Sequence, residues 1–294
     1  MSLDVYLAER KQAVEQELGR LVPEAGDRPA VIHQAMRHSL FAGGKRIRPI
    51  LFWAAAEAVA GDSPGAVAPA CSLEMVHTYS LIHDDLPALD NDDFRRGKPT
   101  CHKAFGEAMA ILAGDALLTR AFGVLAEAFD VSESRRIRMV AELAAAAGTL
   151  EGMIGGQVED LEAEGKPVEE DRLLYIHRSK TGAMIRASVR MGAIYASDDG
   201  DALEALSEYG RHIGLAFQIV DDVLDVTQSS EVLGKTAGKD AEQQKSTFPA
   251  LYGVEESRRK ADEHLSAAVD AVDPFGDSAL RLRQIAERIV NRSA

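Results

Sequence analysis

The chain alternates long segments in which apolar residues recur every three or four positions with short polar segments. This spacing runs through residues 3–21, 31–41, 108–129 and 203–226, and it is typical of α-helices with one buried face. Alternation at every second position, which would predict strands, is hard to find. The pattern therefore predicts an all-α fold.

Residues at the ends of these segments agree with helix boundaries. Ser132 before Glu133 predicts an N-cap, Pro49 fits a first helical turn, and the Gly43–Gly44 pair could end the preceding helix. Glycines interrupt a later segment at positions 152, 155 and 156. They indicate either close packing against the backbone or a loop, and the sequence favours close packing.

The length and composition are those of an ordinary globular protein. The 294 residues are 46% hydrophobic and 27% charged, which suffices for a large core. No linker rich in Pro, Gly or Ser divides the chain. We therefore expect one domain, residues 1–294, built as a single helical bundle.

Net charge narrows the range of partners. The chain has 33 Lys and Arg against 47 Asp and Glu, a formal charge of −14, which argues against nucleic-acid binding. Acidic residues interrupt the N-terminal segment, and the apolar runs 54–60 and 144–147 are shorter than the roughly twenty residues that span a bilayer. We expect a cytoplasmic protein without stable membrane insertion, whose two cysteines are buried thiols.

An acidic group lies in the segment 214–226. Asp221 and Asp225 are four residues apart, so on a helix they share one face, while Asp222 is turned by about 100°. Carboxylates within an apolar segment are unfavourable unless a cation neutralises them. Oxygen ligands of this kind suit Mg²⁺.

A second acidic group lies at 84–93 with a different spacing. On a continuous helix Asp90 would be turned about 120° away from Asp84. Pro87 lacks an amide donor and crowds the carbonyl of His83, so we expect the helix to end or bulge there and return Asp90 to Asp84. One acidic group alone is more often a solvated surface, but two that follow apolar helical segments predict a divalent metal site.

Basic residues accompany both acidic groups. Guanidinium and ammonium groups are the usual partners of phosphate oxygens, so they predict a shared diphosphate site. The sets are Lys45, Arg46 and Arg48; Arg95, Arg96 and Lys98; and Lys235 and Lys245.

With these motifs the sequence resembles the all-trans polyprenyl diphosphate synthases, and within them the bacterial-type farnesyl diphosphate synthases. The matching segments are GGKRIRP (43–49), EMVHTYSLIHDDLPALDNDDFRRGKPTCHKAFGEAMAILAGDALL (74–118), GMIGGQVEDL (152–161), HRSKTGAM (177–184), and GLAFQIVDDVLDV (214–226) with GKDAEQQKSTFP (238–249). The resemblance covers nearly the whole chain. It implies the isoprenoid-synthase bundle with a central active-site cavity, three Mg²⁺ ions with Mn²⁺ as an alternative, and a homodimer.

The resemblance also implies roles for individual residues. The isopentenyl diphosphate set is Lys45, Arg48, His77 and Arg96, although His77 by itself could be a core histidine. The allylic diphosphate set is Arg95, Lys180, Thr181, Gln218, Lys235 and Lys245. The metal ligands are Asp84, Asp90 and Asp221, assisted by Asp85, Asp222 and Asp225, and the residues that line the same cavity are Gln157 and Asp160. The principal catalytic residues are Asp84, Asp90, Arg95, Lys180 and Asp221.

The implied reaction is the 1'-4 condensation of isopentenyl diphosphate with dimethylallyl or geranyl diphosphate through an allylic cation. Tyr79 lies about 7.5 Å below Asp84 on a helix, where its ring would stop elongation at farnesyl (C15) diphosphate. If Tyr79 only packs in the core, product length stays open and a geranylgeranyl (C20) synthase is the alternative.

Two other functions are less consistent with the sequence. A terpene cyclase typically mixes Asn, Ser or Thr with Glu in its second metal motif, which here reads DDVLD, and it has no use for an isopentenyl diphosphate set. A non-catalytic partner subunit of a prenyl synthase should have lost one acidic motif, and both are retained. The terminal NRSA is less basic than the tails that close the site in some relatives, so we expect no closing role for Arg292.

Overall fold

The computed structural model describes residues 1–167, 169–227 and 247–292, and nearly all regular structure within these ranges is helical. The all-α prediction is confirmed, and each of the four periodic segments corresponds to one helix. The helices are α1 Leu3–Leu21, α2 Ala30–Leu40, α3 Ile47–Ala60, α4 Val67–Asp84, α5 Cys101–Phe105, α6 Glu107–Ala126, α7 Glu133–Ala147, α8 Met153–Ala163, α9 Glu170–Ile176, α10 Ala183–Ala196, α11 Gly200–Thr227, α12 Phe248–Tyr252, α13 Val254–Ala271 and α14 Leu280–Val290.

Capping side chains explain where several helices begin. The Ser2 hydroxyl accepts a hydrogen bond from the Val5 amide at 3.4 Å, and the Ser132 hydroxyl accepts one from the Arg135 amide at 3.4 Å. Both satisfy amides that have no partner within the first turn. The predicted N-cap at Ser132 is therefore confirmed.

The first of two compact units comprises Met1–Ile50 and Pro64–Val140. Its central helix is α4, which packs against α6, α1 and α2. Most of α4 is buried, including Leu73, Met75, Val76 and Ile82, as expected for a helix that is apolar on nearly every side.

The second unit comprises Leu51–Ser63 and Ala141–Ala294. Its longest helix is α11, which packs against α13, α10 and a π-helical turn, His177–Gly182. Side chains from four helices form one buried cluster: Leu173, Leu215, Ile219, Val220, Phe248 and Ala261. The organisation of both units as one domain stays a prediction.

The glycines at 152, 155 and 156 lie at the start of helix α8 and within it. Gly152 precedes the helix, whereas Gly155 and Gly156 lie inside it. A Cβ on Gly156 would lie 2.7 Å from the Cα of Lys180, closer than non-bonded carbons approach. The prediction of close packing is confirmed at Gly156, and the loop alternative is wrong for residues 153–163.

A short antiparallel hairpin interrupts the helices. Strands β1 Phe94–Arg95 and β2 Lys98–Pro99 pair across a two-residue turn. Both turn residues are left-handed, with φ of 53° at Arg96 and 75° at Gly97, as a type I′ hairpin requires. Two-residue strands are too short to produce a sequence period, so the periodicity did not predict this hairpin.

Helix α6 is the one helix among the described residues whose length and apolar composition would allow it to cross a membrane. Core helices of soluble proteins can have the same composition. The apolar runs 54–60 and 144–147, on which the sequence prediction rested, are shorter and lie outside this helix.

Candidate functional site

Lys45 and Arg48, two of the four residues predicted to hold isopentenyl diphosphate, belong to the segment 43–49 of the first unit. A third, Arg96, contacts the same segment. Gly43 and Gly44 precede α3 with φ of 101° and 131°, and the Arg96 guanidinium donates a hydrogen bond to the Gly43 carbonyl. A Cβ on Gly44 would lie 2.5 Å from Arg96 Nη1. The glycine pair therefore permits both the loop conformation and the close approach of Arg96.

His77 lies among the positive charges of this region. Its pKa is well below the ordinary value of 6.5, first because it is desolvated and second because Arg48 and Arg96 repel an added proton. The imidazole is therefore neutral at pH 7. The substrate role of His77 stays a prediction.

The three cations of GGKRIRP do not point the same way. Lys45 is exposed and Arg48 half-buried, whereas Arg46 is only 2% exposed. Its guanidinium bonds to Glu74 Oε1 at 2.6 Å and to the Leu40 carbonyl at 2.7 Å. The cluster of three cations in the sequence is therefore divided into two accessible groups and one buried group.

The first acidic group lies at the C-terminal end of α4. The helix ends at Asp84, and the Asp90 amide then donates to the Asp84 carbonyl at 2.8 Å. Amides of Leu89 and Asn91 both donate to the Leu86 carbonyl, at 2.9 and 3.1 Å, which closes the turn around Pro87. The predicted helix end and the return of Asp90 to Asp84 are confirmed for the backbone.

Asp85, the middle carboxylate, is held by Arg95. Arg95 Nε bonds to Asp85 Oδ1 at 2.8 Å, and Arg95 Nη2 bonds to the same oxygen at 2.6 Å. Asp85 is 3% exposed, and burial raises its pKa, although Arg95 opposes the shift. Arg95 was predicted to bind allylic diphosphate, and Asp85 now accounts for its orientation.

The second acidic group lies on the continuous helix α11. The Asp221 side chain is 42% exposed, but Asp222 is 4% exposed. The Asp222 carboxylate accepts hydrogen bonds from His177 Nε2 at 2.8 Å, from the Phe248 amide at 2.9 Å and from Gln218 Nε2 at 3.2 Å. Asp222 thus links α11, the π-helical turn and the start of α12.

The π-helical turn also carries Lys180 and Thr181. Lys180 Nζ bonds to Asp160 Oδ2 at 2.6 Å, so α8 supplies a counterion to this predicted allylic group. Thr181 is half-buried beside it. Turns of this kind are frequent at functional sites. Lys235 and Lys245 lie outside the described residues.

Arg292 makes contacts that the sequence analysis missed. Its guanidinium donates to Asp221 Oδ1 at 2.5 Å and to the Phe217 carbonyl at 3.0 Å, and it lies 4.2 Å from the centroid of the Phe217 ring. The expectation of no closing role rested on the weak charge of NRSA alone. The arginine is nevertheless bound to a predicted metal ligand.

The carboxylates of both groups suit divalent cations of the Mg²⁺ type. Asp85 and Asp222 are buried and bonded to protein donors, whereas Asp84, Asp90 and Asp221 are partly accessible. Within residues 1–167, 169–227 and 247–292, no three His, Cys, Asp or Glu side chains form a preassembled metal cage. Mg²⁺ does not require one, because it typically keeps waters and binds substrate phosphates.

A cavity of about 530 Å³ in the second unit is separate from the predicted residues. None of the predicted site residues lines it. Its polar lining includes Glu142, Tyr175, Arg178, Arg186 and Arg211.

Comparison with known proteins connects this geometry to one family. The polyprenyl synthetase family profile matches residues 29–279. The chain is 49% identical over 270 residues to the farnesyl diphosphate synthase of Geobacillus stearothermophilus, covering 91% of this chain and 90% of that protein. It is 46% identical over 294 residues to the geranylgeranyl diphosphate synthase of Cyanophora paradoxa, covering 99% and 97%.

Solved structures give the same result. A structure described as a putative farnesyl-diphosphate synthase from Marinomonas superposes with a TM-score of 0.85 at 39% identity, over 99% of this chain and 100% of that one. The geranylgeranyl pyrophosphate synthetase of Pyrococcus horikoshii superposes with a TM-score of 0.88 at 32% identity, over 99% and 98%.

Proposed function

Because this chain belongs to the polyprenyl synthetase family and elongates prenyl chains, we propose that it makes mainly farnesyl diphosphate from isopentenyl diphosphate and dimethylallyl or geranyl diphosphate. Relatives of the farnesyl and the geranylgeranyl kind are similarly identical, at 49% and 46%. Overall identity therefore does not decide the product, and the argument rests on one side chain.

That side chain is Tyr79, one and a half turns before Asp84 on α4. Tyr79 is 6% exposed, and its ring stands edge-on to His83 with 5.6 Å between centroids. Its pKa is raised by burial and then by the charge of Asp84. A rigid aromatic ring so close to the reacting end supports termination at C15.

The proposed reaction uses residues of both acidic segments. Lys45, Arg48 and Arg96 hold isopentenyl diphosphate through charge-assisted hydrogen bonds. Arg95 and Lys180 stabilise the negative charge that develops as the allylic carbon–oxygen bond breaks. The isopentenyl double bond attacks the resulting cation, forming the new carbon–carbon bond. A proton then leaves the adjacent carbon, and the released diphosphate accepts it.

We propose magnesium as the metal. Asp84, Asp90 and Asp221 would hold it, and when bound it supplies positive charge to the departing diphosphate. Asp85 and Asp222, which are tied to Arg95 and His177, keep the neighbouring backbone in place. Neutral His77 adds a hydrogen-bonding group without further charge.

A second copy of the chain is the proposed partner, in the cytoplasm. Helix α6 leaves Ile111 and Leu112 exposed by 45% and 49% in the single chain. Adjacent exposed apolar side chains on one helix support burial in a dimer. The mass of the purified protein in solution, measured by light scattering, tests this proposal.

The decisive experiment incubates the purified chain with isopentenyl and dimethylallyl diphosphates, with and without magnesium, and measures product length. We expect a magnesium-dependent C15 product. Tyr79→Ala should shift the main product to C20, whereas Tyr79→Phe, the matched control, should retain C15.

A C20 product from the unmodified chain would contradict the Tyr79 argument and favour a geranylgeranyl diphosphate synthase. Absence of condensation with either allylic starter would favour the non-catalytic partner subunit.

A further inference from the structure

Arg46 occupies an unusual position between two predicted ligands of isopentenyl diphosphate. Its side chain is 1% exposed and that of its partner Glu74 3%, so this is a fully enclosed ion pair. The two predicted ligands near it in the sequence, Lys45 and Arg48, remain accessible. The buried cation therefore lies between one that is exposed and one that is half-buried.

The backbone at Arg46 is fixed in a conformation that such a residue seldom adopts. Its φ is 55°, in the left-handed region, where a long side chain is unfavourable. Its carbonyl accepts a hydrogen bond from the Ile50 amide at 3.1 Å, so Arg46 also occupies the position immediately before α3. A substitution at Arg46 would therefore reorient Lys45, and it would shift the first turn of α3, which carries Arg48.

The guanidinium group hydrogen-bonds to two elements of the first unit and forms a longer ion pair with a third. Nη1 bonds to Glu74 on α4, and Nη2 bonds to the Leu40 carbonyl at the end of α2. Nε lies 3.5 Å from Glu15 Oε1 on α1. Lysine could not reproduce this, because it has one nitrogen and no planar fork.

The Arg46–Glu74 pair is connected through helix α4 to other residues predicted to bind the substrates. Glu74 lies one turn before His77, which also belongs to the predicted isopentenyl diphosphate set, and ten residues before Asp84. The Arg46–Glu74 bond therefore fixes the GGKRIRP loop relative to the helix that carries the other ligands.

Stability alone is a poor explanation for the pair. An enclosed ion pair is often no more stabilising than apolar side chains of similar volume. Its better supported use is to specify one geometry. We propose that Arg46 and Glu74 are positioning residues that orient Lys45 and Arg48 towards isopentenyl diphosphate, an inference that rests on the proposed function.

The test replaces the pair by apolar residues of similar size, Arg46→Met with Glu74→Leu. We expect the thermal unfolding midpoint to be retained. The KM for isopentenyl diphosphate should rise about tenfold or more, as expected when binding groups are misplaced, while the KM for the allylic substrate changes little. An unchanged KM for isopentenyl diphosphate in the folded double variant would overturn the proposal.

The matched control is an ion pair of the same length in the second unit. Arg190 Nε and Glu142 Oε1 are also 2.6 Å apart, and Arg190→Met with Glu142→Leu should leave the KM for isopentenyl diphosphate unchanged. A similar rise in this control would mean that the effect is general, and it would contradict the positioning role.

If the double variant Arg46→Met with Glu74→Leu does not fold, a second variant tests the proposal. Arg46→Lys retains the charge beside Glu74 but removes the fork, and we expect it to raise the same KM. A wild-type KM would refute the proposal.

Calorimetric binding of isopentenyl diphosphate to the unmodified chain and to Arg46→Lys separates this inference from the proposed function. If the unmodified chain binds but does not condense, the proposed function fails. Weaker binding by Arg46→Lys would then still support the positioning role, and equal binding would refute it.

Discussion

In the first acidic segment the chain leaves α4 at Asp84 and folds back to Asp90, whereas in the second Asp221, Asp222 and Asp225 remain on α11. Despite this difference, both segments contain a buried aspartate tied to protein donors beside a more accessible one. The comparison teaches that spacing in the sequence does not decide which carboxylates are buried and which remain accessible. The partners of each carboxylate decide this.

Asp85 and Asp222 differ in the groups that they bind. Among the described residues the Asp85 carboxylate bonds to Arg95, whose side chain is 31% exposed and would be solvated if that carboxylate were removed. Asp222 binds the His177 ring, the Gln218 amide and the Phe248 backbone. The buried aspartate of the second segment therefore links more elements of the fold than that of the first.

The largest expected effect concerns the accessible aspartates. Asp84→Asn and Asp221→Asn should each lower kcat by about 100- to 1,000-fold, the usual effect of removing one electrostatic group from a reaction site. The free energy of unfolding should not fall, because these carboxylates are only partly buried. Steady-state kinetics and urea unfolding check both statements.

Asp93→Asn is the control for this prediction. Asp93 lies in the same segment, and its carboxylate bonds to Lys103 at 2.7 Å, but it has no predicted role. Its kcat should match that of the unmodified chain. Loss of unfolding free energy in Asp84→Asn would show instead that the accessible aspartate is structural.

The next effect compares the buried aspartates. Asp222→Asn should lower the free energy of unfolding by about 3 kcal/mol, because one partner of a buried charged network is lost. Asp85→Asn should lower it by about 1 kcal/mol, because the partner of Asp85, Arg95, is partly exposed and can be solvated after the change. Urea unfolding of both variants measures the difference, and equal values would remove the distinction between the segments.

Acid should weaken the helix that carries the second segment. Nδ1 of His212 and Nδ1 of His264 lie 2.8 Å apart between α11 and α13, and Arg211 Nη2 lies 2.7 Å from His212 Nε2. The Arg211 bond requires an unprotonated Nε2, so His212 donates from Nδ1 to His264 and both rings are neutral.

The pH dependence follows from that arrangement. Burial, then His212, Arg211 and Arg178, lower the pKa of His264 to about 4, and Glu263 opposes this shift. Burial and Arg211 likewise lower the pKa of His212, against Glu208.

The unfolded chain therefore binds more protons below the ordinary pKa of 6.5, and stability is lost as pH falls from 6.5 towards 4. After allowance for solvent screening, we expect a loss of about 1 kcal/mol between pH 7 and pH 5. Urea unfolding at each pH measures this loss, and His264→Gln should reduce it. An unchanged pH dependence in that variant would contradict the assignment.

The smallest effect concerns Arg292, which in this structure balances the charge of Asp221. Arg292→Gln should tighten Mn²⁺ binding by about threefold, the range for a partly exposed ion pair. Calorimetry without substrate measures the affinity. Arg281→Gln on α14 is the control and should bind as the unmodified chain does, whereas weaker binding in Arg292→Gln would mean that the arginine supports the metal.

Local features were predictable from the sequence. The apolar period predicted helices α1, α2, α6 and α11, the residue type predicted the N-cap at Ser132, and the ring of Pro87 predicted the helix end at Asp84. These depend on residues within a few positions of each other. The accessible and buried aspartates could not be distinguished in the same way.

The features that sequence reasoning missed join distant residues. Arg46 meets Glu74 across 28 positions, His177 meets Asp222 across 45, and Arg292 meets Asp221 across 71. Periodicity and spacing carry no information about such pairs. The hairpin at 94–99 was missed for the opposite reason, since two-residue strands are shorter than any period.

Gly156 sets a limit on how this protein can be altered. Because the backbone of α8 lies against the backbone at Lys180, no choice of rotamer would make room for a side chain there. A library that randomises residues 152–161 would therefore return glycine at this position among its folded members. Engineers who wish to alter substrate range have to leave this contact intact and vary positions such as Tyr79 instead.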